Sequence, residues 1–266
     1  MIAGLPTYRP GQVNPSKGIC VYGKGGAGKT TLVGTMPGPG VVIDFPAQEG
    51  GTEVLADRAD RISVWPVTDW DDLDKYYWAL ASGNHPFKWV GIDSITAAVR
   101  MARYKVTGEH PLKDKPGKIS LEQRGFISDL VAEFVVKYRA IPKLFSVWIA
   151  LEQRRDKLKD GSGGVWSPTV PPGALNALIP SMKIVGRMRI EYDMMGRSQR
   201  QLIIGPCPDM DTKARAIPTL PIPFGISDPN LETLLRYLAG QDVQLHTIGD
   251  SNSSILGTDA DTLVLS

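Results

Sequence analysis

Apolar residues in this chain come in two patterns, unbroken short runs and runs at helical spacing. Gly18-Ile19-Cys20-Val21-Tyr22, Val41-Val42-Ile43-Asp44, Trp89-Val90-Gly91-Ile92-Asp93 and Leu144-Phe145-Ser146-Val147-Trp148-Ile149-Ala150-Leu151 are apolar at nearly every position, apart from Ser146 and the carboxylates Asp44 and Asp93 that end two of them. Such runs predict strands covered on both faces, the signature of a parallel sheet. Residues 61–67 predict a further strand. Helical spacing links Leu73, Tyr76, Tyr77 and Leu80 behind an N-capping Asp69, and it returns over 121–138 with Phe126, Leu130, Phe134 and Val135 among the apolar positions. The trio Tyr76, Tyr77 and Trp78 therefore reads as a packing face rather than a base-stacking platform. A helix opening at Thr30 is cut by Met36-Pro37-Gly38-Pro39-Gly40, which leaves room for about two turns. Farther on, 174–179 predict a short helix, 183–193 and 199–204 a hairpin turning at Met194-Met195-Gly196-Arg197, and 231–238 a closing helix. The alternation predicts an α/β fold: a mostly parallel central sheet flanked by helices, with a C-terminal β-hairpin extension.

Composition sets the bounds. With 266 residues, one main domain is expected, over 18–240. It is preceded by an extended arm, 1–17, punctuated by Pro6, Pro10 and Pro15, and followed by an acidic tail, 241–266, with Asp242, Asp250, Asp259 and Asp261 and no Lys or Arg. A net charge of +2 means that any nucleic-acid binding must come from local clusters. Two cysteines and three scattered histidines exclude a disulfide framework and a structural zinc site. No apolar run approaches the roughly 20 residues of a membrane span, and the first residues lack the pattern of a secretory leader, so a cytoplasmic protein is expected.

The chemistry concentrates in Gly23-Lys24-Gly25-Gly26-Ala27-Gly28-Lys29-Thr30, followed by Thr31. The G-x-x-x-x-G-K-T spacing lies between a strand and a helix, which is the context of a phosphate loop. Glycines let successive backbone amides close on an anion, Lys29 reaches the β/γ-phosphates, and Thr30 offers its hydroxyl to Mg²⁺. The apolar strand ending at Asp93-Ser94 supplies a carboxylate for the metal's ligand shell. Asp44 ends another strand, with Glu49 on the loop beyond it, at the edge where open α/β sheets bind ligands. Two stretches collect positive charge. One, 103–118, holds Arg103, Lys105, Lys113, Lys115 and Lys118; the other, from Gln153 to the prolines at 171–172, holds Arg154, Arg155, Lys157 and Lys159. Lys213 and Arg215 form a third pair of cations, expected to be exposed.

Together these elements resemble the RecA-like P-loop NTPase core, most closely the short bacteriophage recombination ATPases of the single-strand-annealing (Sak) type. The resemblance runs over 17–240 and is carried by 23–30 as Walker A, 89–94 as Walker B, 44–51, the strand ending at Gln153, and Lys213 with Arg215. It implies ATP and Mg²⁺ as cofactors, with Lys29, Thr30 and Asp93 at the phosphates and metal. Glu49 would activate water, with Asp44 as the alternative, and Gln153 would sense the γ-phosphate. Lys213 and Arg215 would reach the nucleotide of an adjacent subunit in trans, and the two basic stretches would face single-stranded DNA. The resemblance further implies a DNA-stimulated ATPase that anneals or exchanges strands as a ring or filament in an infected bacterial host, with a single-strand-binding protein as a further partner. Lys24 is also similar to the second lysine of ParA and MinD partitioning ATPases, which sets a partitioning ATPase beside this reading. A nucleotide-switched, non-catalytic annealing module is a second alternative.

Overall fold

The computed structural model describes residues 18–47, 49–109, 117–155, 164–192, 195–216 and 219–248. In chain order the elements are β1 (Gly18–Gly23), α1 (Lys29–Val33), β2 (Gly40–Asp44), a 3₁₀ turn (Thr52–Arg58), β3 (Ile62–Pro66), α2 (Trp70–Ala81), β4 (Trp89–Asp93), α3 (Ile95–Thr107), α4 (Leu121–Ala140), β5 (Phe145–Arg154), β6 (Trp166–Pro168), α5 (Pro172–Ser181), β7 (Ile184–Tyr192), β8 (Ser198–Ile203), β9 (Lys213–Ala214), β10 (Gly225–Ser227) and α6 (Leu231–Leu238).

The sheet runs β10-β8-β7-β1-β5-β4-β2-β3. The six strands from β7 to β3 are mutually parallel, while β8 returns antiparallel to β7 as the expected hairpin and β10 extends it. The unbroken apolar runs are explained by cover on both faces. Cys20, Tyr22, Ile43, Ile92 and Trp148 pack under α2, α3, α4 and α5. Their strand neighbours Ile19, Val21, Val42 and Ile149 pack under α1, the 3₁₀ turn and α6. Both clusters obey the period of two that a strand imposes. Gly40 shows how closely the layers meet, since a Cβ there would lie 1.9 Å from Trp89 Cε2.

Register brings the strand ends to one edge. Gly23 lies opposite Leu151 and Met188, and Asp44 opposite Asp93. The loop after β1, the carboxylates ending β2 and β4, and the outgoing part of β5 thus share the C-terminal rim of the parallel strands, where α/β sheets bind ligands.

Several expectations need correction. The basic stretch from residue 103 begins inside a helix: α3 continues through Arg103 and Lys105 to Thr107, with Ala97, Ala98, Met101 and Ala102 on a buried face that the charged positions obscure. Phe126 is 56% exposed, one residue off the buried stripe of α4 formed by Ile127, Val131, Phe134, Val135 and Tyr138. In α2, Tyr76 and Tyr77 pack on the core as expected, but Trp78 is turned about 100° farther round the helix and is 69% exposed. The expected tail is attached as far as Ile248: Leu245 is buried, the Ser227 amide donates to the His246 carbonyl, and the Ile248 amide donates to the Gly225 carbonyl. The arm 1–17 and residues 249–266 lie outside the described residues.

Candidate nucleotide-binding site

The turn from β1 into α1 is built by glycines in the left-handed region, Gly26 at φ 77° and Gly28 at φ 90°, where an L side chain is strained. Gly28 is the N-cap of α1, whose five residues make little more than one turn. The buried Lys29 side chain folds back over the loop, its Nζ donating to the carbonyls of Gly23 (3.0 Å) and Lys24 (2.7 Å). Burial pulls the Lys29 pKa down, and the carboxylates of Asp93, Glu49 and Glu152 push it back up.

Thr30 Oγ1 donates to Asp93 Oδ2 at 2.6 Å, so the loop hydroxyl and the β4 carboxylate predicted to hold a metal are in direct contact. Burial raises the Asp93 pKa to about 6; the Thr30 hydrogen bond opposes the rise, while Asp44 and Glu49 add to it. A hydroxyl and a carboxylate at one point are hard oxygen donors, and Mg²⁺ is commonly held by one or two protein oxygens plus phosphate and water. The donor set fits an ion arriving with a nucleotide.

Glu49 reaches the same cavity, of about 640 Å³ and lined also by Lys29, Thr30 and Asp93. Its Oε2 accepts from Ser94 Oγ at 2.7 Å, and Arg100 Nη1 stands 3.7 Å from Oε1. Ser94 is at the same time the N-cap of α3, accepting from the Ala97 amide, which pins the donor that holds Glu49. Asp44, the alternative water-activating group, is buried outside the cavity lining; its Oδ2 accepts from Thr52 Oγ1 at 3.2 Å and burial raises its pKa.

Gln153 does not line the cavity. Pairing with β6 carries β5 past Leu151 to Arg154, and within this hairpin Gln153 Nε2 donates to the Pro168 carbonyl at 3.1 Å. Its neighbour Glu152 is the buried group here, with Oε2 accepting from Arg187 Nε at 2.8 Å. Arg187 lies 4.2 Å from the Trp166 ring centroid and Arg154 lies 5.8 Å from it. Lys24 is exposed beside a second cleft, of about 440 Å³, between the loop and β7.

Lys213 and Arg215 are not free cations on a loop. Lys213, half-buried on β9, donates through Nζ to the Ile179 carbonyl, and Arg215 Nη2 donates to the Pro180 carbonyl at 3.1 Å. They satisfy the C-terminal carbonyls of α5, where cations are favoured. Burial, and then Arg215, lower the Lys213 pKa to about 8. Among the basic residues, Arg103 pairs with Glu109 at 3.4 Å and donates to the Gly117 carbonyl, Lys105 pairs with Asp71 at 2.8 Å, and Arg155 pairs with Asp211 at 2.6 Å. Lys118 is exposed, whereas Lys113, Lys115, Lys157 and Lys159 lie outside the described residues.

Two cavity residues carried no signal in the sequence. Arg100 projects from α3, and Arg200 comes from β8, across β7, to stand over Gly28. Neither belongs to a motif; only helix phase and strand pairing bring them in.

Among the described residues no helix is long and apolar enough to cross a membrane. No curated protein matches the chain. A family model described as an AAA domain matches residues 16–216, a stretch that contains the loop, both strand-end carboxylates and the hairpin. The phosphate loop, the Thr30–Asp93 contact at the rim of a parallel sheet and this match agree: the chain belongs to the AAA-domain family and carries a P-loop, AAA-type ATPase domain.

Proposed function

We propose that the protein is an ATP-hydrolysing recombination protein of the phage RecA-like type that binds single-stranded DNA and promotes annealing or strand exchange. In this reading it works as a ring or filament in the cytoplasm of an infected bacterial host, alongside a single-strand-binding protein. Hydrolysis is positioning plus charge stabilisation. Lys29 and the loop amides take the phosphates, Thr30 and Asp93 take Mg²⁺, and Glu49, oriented by Ser94 and Arg100, directs water.

The observation that favours a DNA role is the path of β5. Leu151 lines the phosphate cavity, and within three residues the same strand reaches Arg154, which lies 5.8 Å from the Trp166 ring centroid in the last pair of the β5–β6 hairpin before its connection. A cation on an aromatic face beside a basic segment suits a single strand, which is bound through phosphates and stacking. The stretch from residue 103 supports the reading less, because Arg103 and Lys105 are both paired within the chain, whereas in the second stretch Arg155 is paired, with Asp211, and Arg154 lies on the Trp166 ring.

The test is ATP turnover with and without single-stranded DNA, combined with the salt dependence of DNA affinity. Single strands should stimulate turnover, and Arg154→Ala with Arg155→Ala should flatten the slope of log affinity against log salt by roughly 0.7 for each phosphate no longer neutralised. Turnover indifferent to DNA, with an unchanged slope, rejects the DNA role. DNA binding that responds to ATP without any turnover indicates the nucleotide-switched annealing module.

A further inference from the structure

We infer that Arg200 clamps the diphosphate shared by ATP and ADP, from the nucleoside side of the site, and so sets nucleotide affinity rather than the rate of hydrolysis. The inference rests on the ATP-binding reading above and concerns a residue that no motif marks.

Strand order gives the nucleotide a direction. From β1, which carries the phosphate loop, β4 is two strands away on one side and β8 is two strands away on the other. Asp93 and Glu49, the carboxylates suited to metal and water, stand at the β4 side. The terminal phosphate and its ion belong there, so the nucleoside end of the molecule extends toward β7 and β8. Arg200 approaches from that end.

Its backbone is fixed. It pairs opposite Ile190 across the hairpin, and its carbonyl accepts from the Asp228 amide at 2.7 Å. Its side chain runs over the loop: a Cβ on Gly28 would lie 2.6 Å from Arg200 Nε, 3.0 Å from Cδ and 3.1 Å from Cζ. The guanidinium therefore covers the last glycine before Lys29, on the cavity wall and open to solvent.

Charge balance points the same way. The cavity lining contains the cations Lys29, Arg100 and Arg200 and the carboxylates Glu49 and Asp93. Arg100 faces Glu49, and Lys29 and Asp93 stabilise each other's charged forms. Arg200 has no ion-pair partner among the described residues and is the cation left over. A planar guanidinium presents paired donors that match phosphate oxygens. Interactions with a diphosphate are made equally in the ground and transition states, so they lower KM without raising kcat.

Calorimetric titration of ATP and ADP, each with Mg²⁺, into the wild type and into Arg200→Ala, Arg200→Gln and Arg200→Lys tests this, together with steady-state kinetics. Each variant's thermal unfolding is checked against the wild type, and Gln retains the stem should Ala disturb the hairpin. Removing the cation should weaken ATP and ADP alike, by about tenfold to a hundredfold, as expected for hydrogen bonds to charged groups. KM should rise by a similar factor and kcat should stay within about threefold, with Lys recovering part of the affinity. ATP and ADP affinities unchanged in both Ala and Gln, or a fall in kcat at unchanged affinity, overturns the assignment. Failure of the wild type to bind ATP overturns the ATP-binding reading on which it rests.

Discussion

Asp93 should be worth more to the nucleotide than to the fold, and Asp93→Asn should therefore stabilise the protein when no nucleotide or Mg²⁺ is present. Burial lifts the Asp93 pKa to about 6, against about 4 for a carboxyl in the unfolded chain. Between those two values the folded state binds more protons than the unfolded one, so stability falls as pH rises through the window. The penalty is absent below about pH 4 and complete above about pH 6. A displacement of that size corresponds to about 3 kcal/mol. Asparagine does not titrate, and its carbonyl oxygen can still accept the Thr30 hydroxyl, now at 2.6 Å from Asp93 Oδ2. Relaxation around the amide will take back part of the gain, which leaves about 1–3 kcal/mol at pH 7.5. For a domain of this size each kcal/mol moves the melting temperature by roughly 2–4 °C. Thermal unfolding of both proteins at pH 5, 6.5 and 7.5, with chelator, should show the variant several degrees higher at pH 7.5 and the gap closing toward pH 5. With Mg²⁺ and ATP the order should reverse, because the amide is a poor ligand for a hard cation. A variant that melts at or below the wild type at pH 7.5, or a gap that ignores pH, refutes the reasoning.

Other outcomes follow from the same geometry. Lys29→Ala should abolish turnover and keep the far-UV circular dichroism of the wild type, since this side chain lines the cavity and its Nζ donates to loop carbonyls; undiminished turnover would remove the site assignment. Glu49→Gln should bind ATP normally and lose hydrolysis by at least about a hundredfold, while Asp44→Asn, outside the cavity, should turn over ATP near the wild-type rate; the opposite pattern transfers the water-activating role to Asp44. Lys213→Ala with Arg215→Ala should cost about 1 kcal/mol in denaturant unfolding through the uncapped end of α5 and should keep turnover near the wild-type rate; a loss of turnover that mixing with Lys29→Ala restores at mixed interfaces would assign the pair a role in trans.

The parallel core was legible because both its faces are covered: residues 18–22 and 41–43 have no charged position to mislead the reading, and their length excludes a helix. The hairpin was legible from its turn at residues 194–197. What escaped were features set by partners rather than by local pattern. The end of β5 reads as polar loop until it pairs with β6, and that pairing turns Gln153 onto the Pro168 carbonyl. Half of the buried positions of α3 are alanine, which a search for large apolar residues passes over. The basic residues looked free because a sequence shows charges without their partners: Lys105 has Asp71, Arg155 has Asp211, and Lys213 has a helix terminus. Arg100 and Arg200 invert that error, two ordinary surface arginines by sequence that the fold delivers to the phosphate loop.

The brevity of α1 shifts the balance of forces at this site. A helix macrodipole accumulates over aligned peptide units, and α1 has five residues before Gly34 and the proline-rich turn end it. Arg61 donates to the carbonyls of Gly34 (3.0 Å) and Met36 (3.2 Å), so the negative end of even this single turn is neutralised close to the loop. What remains for an anion is the set of inward-facing amides that Gly26 and Gly28 make possible, plus the side-chain cations. Phosphate binding in this protein must then lean on Lys29 and Arg200 more heavily than where a long helix follows the loop, and loss of either cation should weaken nucleotide binding beyond what a single surface ion pair contributes.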